Sequence, residues 1–193
     1  MIKKPLLIFI GSTHGFINDF LKQKEIIFKY KPKFVLSEEL EDLKLDSKEK
    51  FKELFKKKTI SNMTSFEEVK DLAKFCLKRK TKLIGIDFPN FGFNEPLQRK
   101  IKNQEKVSKK EEEEINKILK MREEKHLREI LIYQKKTKHP IVIILGCWHL
   151  REESLLRNKL KNYKIISPCD KNKKILLSPP KDKEIFYCEV IKK

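Results

Sequence analysis

Four short runs of almost unbroken apolar residues constrain this chain more than any other feature. They lie at residues 6–10 (LLIFI), 34–36 (FVL), 83–86 (LIGI) and 141–145 (IVIIL). A strand that shows water one of its faces alternates apolar and polar residues. Continuous runs of this length are expected of strands covered on both faces, as in a largely parallel sheet. Between them the spacing predicts helices over residues 16–30, 48–57, 65–80 and about 109–136, with a shorter one over 152–160. Ser65 and Glu68 stand at capping-box spacing at the start of the third. Strands alternating with helices imply βαβ units, so the fold class expected is α/β: a largely parallel central sheet flanked by helices. Three β-like runs near the C-terminus, 164–166, 175–177 and 185–191, are separated by Pro168, Pro179 and Pro180. They are expected to extend one edge of the sheet, where antiparallel pairing is open to them. The chain thus reads as one domain, with a core over 1–163 and a β extension over 164–193. The charge-dense stretch 99–114 is expected to be a mobile connection running into the long helix.

The ends of these strands are chemically rich. The first runs into Gly11-Ser12-Thr13-His14, the second into Ser37-Glu38-Glu39, the third into Asp87 and the fourth into Gly146-Cys147-Trp148-His149. If the strands are parallel, all of these emerge at one carboxyl edge, where α/β folds place their sites. Two of the chain's four histidines close equivalent Gly-x-x-His elements. Each glycine would let the backbone turn sharply after its strand. Each histidine would then sit at a helix start, which favours the neutral, ligating form. His14, His149, Glu38 and Asp87 are therefore candidate ligands for a divalent metal ion (Mn, Co or Zn), and equally a general acid/base set. For Glu38 and Glu39 a solvated helix start competes, since carboxylates are favoured there, and only one of the two can point at the site. For Asp87 a loop role in an Asx-turn before Pro89 competes.

On the long predicted helix, Arg122 and His126 fall one turn apart on a face shared with Ile115, Ile118, Leu119, Ile130 and Tyr133. An arginine in an apolar stripe must be paired or reach a polar cavity. It forms an ion pair with Glu38 or Glu123, snorkels to water, or enters the site to bind a substrate carboxylate, carbonyl oxygen or phosphate. His126 is read as a core or surface histidine, and His139 as a loop residue. Cys147 beside His149 suggests a thiolate nucleophile, a scheme that nothing else in the sequence supports. There is no Gly-x-Ser-x-Gly, P-loop or Gly-x-Gly-x-x-Gly, which argues against serine hydrolase, NTPase and dinucleotide chemistry.

The ordered set of motifs resembles the superfamily of TraB-like proteins, TIKI metalloproteases, erythromycin esterases and ChaN-like haem-binding proteins. The resemblance runs through Gly11-Ser12-Thr13-His14, the segment Pro32 to Glu38, Arg122-Glu123, and Val142 to Leu150 with its strand-Gly-x-x-His-Leu ending. Asp87 and Arg99 match an Ile-Asp…Leu-x-Arg region of TraB-like members. It covers roughly the first three-quarters of the chain. It implies that His14, Glu38, Arg122 and His149 line one catalytic site, with metal-dependent hydrolysis of an amide or ester in a small-molecule or peptide substrate. Arg99 and Trp148 would be substrate-binding. Cys147-Trp148 departs from the small residues usual there, and Trp148 could narrow the cleft or stack on a substrate ring. ChaN-like members imply the alternative of a non-catalytic haem or small-molecule binding protein.

Composition bounds the partners. A net charge of +18 attracts polyanions, so nucleic-acid binding is a third reading, although the lysines are dispersed along helices. The four cysteines are widely separated, as expected for buried free thiols in a reducing compartment. The N-terminal apolar run is too short for a signal peptide, and no stretch spans a bilayer. These features lead us to expect a soluble, cytoplasmic protein.

Overall fold

All four apolar runs are inner strands of a single sheet in the computed structural model, which describes residues 4–12, 17–57, 59–172, 174–177 and 186–192. They become β1 (Leu7–Ser12), β2 (Phe34–Ser37), β4 (Lys82–Gly85) and β5 (Ile141–Gly146). A two-residue strand, β3 (Lys44–Leu45), and two C-terminal strands, β6 (Tyr163–Cys169) and β7 (Phe186–Lys192), complete a seven-stranded order β3-β4-β2-β5-β1-β6-β7 among the described residues. Neighbours from β4 to β6 are all parallel, while β3 and β7 run antiparallel at the two edges.

Both faces of the sheet are covered, which is why the central strands carry no polar alternation. Successive side chains point to opposite sides. Ile8, Ile10, Val35, Val142 and Ile144 pack on one side against α1 (Ile17–Tyr30), α2 (Lys48–Leu54) and α3 (Phe66–Lys78). Leu7, Phe9, Leu36, Ile141, Ile143 and Leu145 pack on the other, against α5 (Lys109–Lys135) and α6 (Leu155–Lys159).

Several local expectations are corrected. The stretch 99–114 is ordered rather than loose: α4 (Glu95–Lys102) occupies its start, and Lys100 bridges to Glu111 at 2.8 Å. The full capping box belongs to Ser108 and Glu111, at the start of α5. Ser65 stands at the N-cap of α3 without a side-chain capping bond. Ile175 makes only an isolated bridge to Cys169, so the run 175–177 is not a strand.

The glycine of the first Gly-x-x-His element has a different use from the one its position suggests. Gly11 lies inside β1, and a Cβ there would come within 2.9 Å of Cys147 Sγ and 2.2 Å of Ser167 Oγ. Its bare backbone admits the turn after β5 and a side chain of β6, rather than turning the chain. Gly85, at the end of β4, is more constrained still. A Cβ would meet backbone: Glu41 O at 2.4 Å and Leu40 O at 2.8 Å. Backbone cannot rotate away as a side chain can, so Gly85→Ala is expected to destabilise the protein by about 1–3 kcal/mol. Chemical denaturation read by far-ultraviolet circular dichroism checks this.

Candidate metal centre

Parallel pairing aligns the strand ends. Ser12 is level with Gly146, Ser37 with Gly85 and Ser37 with Ile144, so the ends of β1, β2, β4 and β5 gather at one edge. After β2 the chain enters a single 3-10 turn, Glu38–Leu40, with the Ser37 hydroxyl accepting from the Glu39 amide. After β5 a second such turn, Cys147–Leu150, carries His149. The two turns are tied together, because the Gly146 amide donates to Glu38 Oε1 at 2.7 Å.

Into this edge α5 delivers Arg122 and His126 from one face. Glu38 Oε2 lies 3.5 Å from His149 Nε2 and 3.5 Å from Arg122 Nη2. The rings of His126 and His149 are 4.9 Å apart at 79°. One ligand atom from each of Glu38, His126 and His149 lies within 4.8 Å of the others, and the three residues are 1%, 0% and 3% exposed. This buried group could hold a metal ion.

The protons can be assigned from the partners. Asp87 Oδ2 accepts from Arg122 Nε at 2.8 Å and Nη2 at 2.6 Å, and stands 3.0 Å from His126 Nε2. A carboxylate is an acceptor, so Nε2 of His126 carries the hydrogen and its Nδ1 keeps a lone pair. His126 Nδ1 is buried without a hydrogen-bond partner among the described residues, and His149 Nδ1 is buried facing a carboxylate. Glu123 stands behind His149, its Oε1 3.5 Å from Nδ1, and is itself held by Arg151 Nη1 at 2.5 Å and the Leu155 amide at 3.0 Å. Each histidine thus has a carboxylate behind it, Asp87 for His126 and Glu123 for His149. Metal-binding histidines are oriented in this way.

Burial pushes the Asp87 carboxyl up, but His126 and Arg122 more than offset it, and the group titrates below its ordinary value. Burial lowers His149 and outweighs the opposing pull of Glu123 and Glu38, so its imidazole is held neutral. Burial, and not the helix terminus expected from the sequence, keeps it so. Glu123 is also lowered: His149, the Leu155 amide and Arg151 together exceed the effect of its burial. Burial lifts the Cys147 thiol to about 11, against any role as a thiolate nucleophile.

The expected site residues fall into distinct groups. Glu38 and His149 come together. His14 lies outside the described residues, so its meeting with His149 remains an expectation. Asp87 is not in the group that could hold an ion; its Oδ2 is taken up by Arg122 and His126, and its Oδ1 accepts from the Phe88 amide. Arg122 is buried in an ion pair with Asp87 and approaches Glu38, as one of the expectations had it, with Asp87 as a partner the sequence did not suggest. Glu39 is not a solvated helix start: it is 7% exposed and accepts from Ser12 Oγ at 3.0 Å. Arg99 is exposed on α4. Trp148 is half-buried, edge-on to His149 at 5.4 Å, with the Arg151 guanidinium stacked 3.4 Å from its ring centre. His126, set aside as a core or surface histidine, is the member of the group that could hold an ion which the sequence reading missed. Its signal was there, one turn beyond an arginine that could not be buried alone.

No match to this chain is found among protein-family models, curated proteins or solved structures.

Asp87→Asn removes the charge that faces Arg122 and His126 while keeping the side chain's shape. It is expected to cost about 3–5 kcal/mol at neutral pH, the usual loss when one partner of a buried pair is removed. Because the folded-state value of Asp87 is lowered, its contribution is complete above about pH 4, the unfolded value. It is lost as pH falls through the folded value. The gap between wild type and variant should therefore narrow below pH 4 in denaturant titrations at stepped pH.

Proposed function

We propose that this protein is a metal-dependent hydrolase of amide or ester bonds, with a divalent ion (Mn, Co or Zn) held by Glu38, His126 and His149. The observation that carries the reading is a buried carboxylate, Glu38, gathered with two buried imidazoles so that one ligand atom of each lies within 4.8 Å of the others, the His126 ring backed by Asp87 and the His149 ring by Glu123. Two histidines and one glutamate form a ligand set used at hydrolytic zinc sites, which keep one position open. When bound, such an ion supplies Lewis acidity to a substrate carbonyl and to water.

The chain's own residues do the rest. Asp87 fixes the tautomer and rotation of His126, and Glu123 steadies His149. Arg122, clamped by Asp87 through two nitrogens, holds positive charge 3.5 Å from Glu38. It therefore acts as a positioning residue rather than as a free oxyanion donor. Trp148, stacked under Arg151, forms a wall beside His149 on which a small-molecule or peptide substrate would lie. The near-complete burial of all three ligands favours one second reading, a centre that binds its ion without turnover.

Titration calorimetry with Mn(II), Co(II) and Zn(II) is expected to give one site on the wild type. His126→Ala and His149→Ala should each weaken it more than 100-fold, beyond the 10–100-fold typical of residues behind the ligands. Absence of uptake by folded wild-type protein overturns the assignment. Uptake without chelator-sensitive hydrolysis of a panel of chromogenic esters and amides decides for the second reading.

A further inference from the structure

At the opposite, amino edge of the sheet, three neighbouring parallel strands in the order β2-β5-β1 begin side by side, with Phe34, Ile141 and Leu7 level in register. Around these entries lies a concavity of about 680 Å³. It is lined by Lys4 before β1, Lys33 before β2, Lys135 and Lys136 at the end of α5, and Lys138 before β5, with no carboxylate in its lining. All five lysines are exposed, and none is ion-paired among the described residues. Across the whole chain 28 acidic residues accompany 46 basic ones, so a lining with lysines and no acid departs from the general mixture. The carbonyl end of α5 brings a partial negative charge of about half a unit, which five ammonium groups outweigh.

We propose that this concavity is a binding site for the phosphodiester backbone of single-stranded nucleic acid. Adjacent strands lie about 4.8 Å apart. The three strand entries therefore bring Lys4, Lys33 and Lys138 to one short stretch of this edge, where a chain with one charge per nucleotide can meet several of them at once. Lysines meet phosphates as point charges and read no base edge. Of the nearby rings, Phe34 under Lys33 and Tyr133 under Lys136 are 6% and 5% exposed and so are closed to base stacking, which leaves the exposed imidazole of His139 in the lining as the ring open to a base of any kind. Binding is therefore indifferent to base sequence and independent of the metal centre at the other edge.

Fluorescence anisotropy with a short labelled single-stranded oligonucleotide of mixed sequence, over about 50–300 mM salt, tests this. Five neutralised phosphates predict a slope of log K against log salt near −3.5, at about 0.7 per single-strand phosphate. The triple variant Lys33→Ala/Lys135→Ala/Lys138→Ala should make the slope shallower by about 2. The triple variant Lys24→Ala/Lys52→Ala/Lys74→Ala, with the same charge removed from exposed positions on α1, α2 and α3, should retain the wild-type slope. Equal loss in both variants attributes binding to net charge and overturns the site. No wild-type binding at the lowest salt also overturns it. So does capture of inorganic polyphosphate or anionic vesicles by a protein that ignores the oligonucleotide.

Discussion

Arg122 carries a full charge into the interior of this protein, and the arrangement around it answers that charge. Asp87 grips the guanidinium through Nε and Nη2, and the same carboxylate oxygen receives His126. Glu38 lies just beyond, within 3.5 Å of Nη2. A buried ion pair of this kind adds little to stability over an apolar substitute, because both partners are taken from water. What it supplies is definition. With Asp87 fixed, His126 has one tautomer, one rotation and one free nitrogen, and α5 is held in one register over the sheet.

The sheet makes that definition possible. Residues from β2, β4 and β5 would be distant in an extended chain, yet parallel pairing brings their ends to one level. The Gly146 amide then links the turns after β2 and β5 through Glu38. Because that carboxylate is fixed by backbone, its position depends little on side-chain freedom. The centre therefore stands on a rigid frame, as catalytic and ligating groups require if they are to keep their geometry.

Much of this was legible in the sequence, and for identifiable reasons. Unbroken apolar runs located the inner strands, because a strand buried on both faces leaves that mark. The polar residues just after them pointed to Glu38, Asp87 and His149, because a parallel sheet collects its strand ends. Three features were not readable. β3 is two residues long and too short to show a period. Gly11 looked like a turn residue, whereas its role depends on Ser167 and Cys147, which approach only in the fold. His126 sat in plain view beside Arg122, but a single histidine on an apolar helical face is most often a core residue. Only the approach of Asp87 from the turn after β4 separates the two cases.

The side chain stacked beneath Arg151 has a consequence of another kind. Trp148 is the chain's single tryptophan, and its indole stands edge-on to His149 at 5.4 Å. All tryptophan emission from this molecule therefore originates beside the candidate centre. Protonated imidazoles and paramagnetic ions both quench a neighbouring indole. The protein thus carries an intrinsic optical reporter whose brightness follows the charge and occupancy of the groups around His149, with no label added.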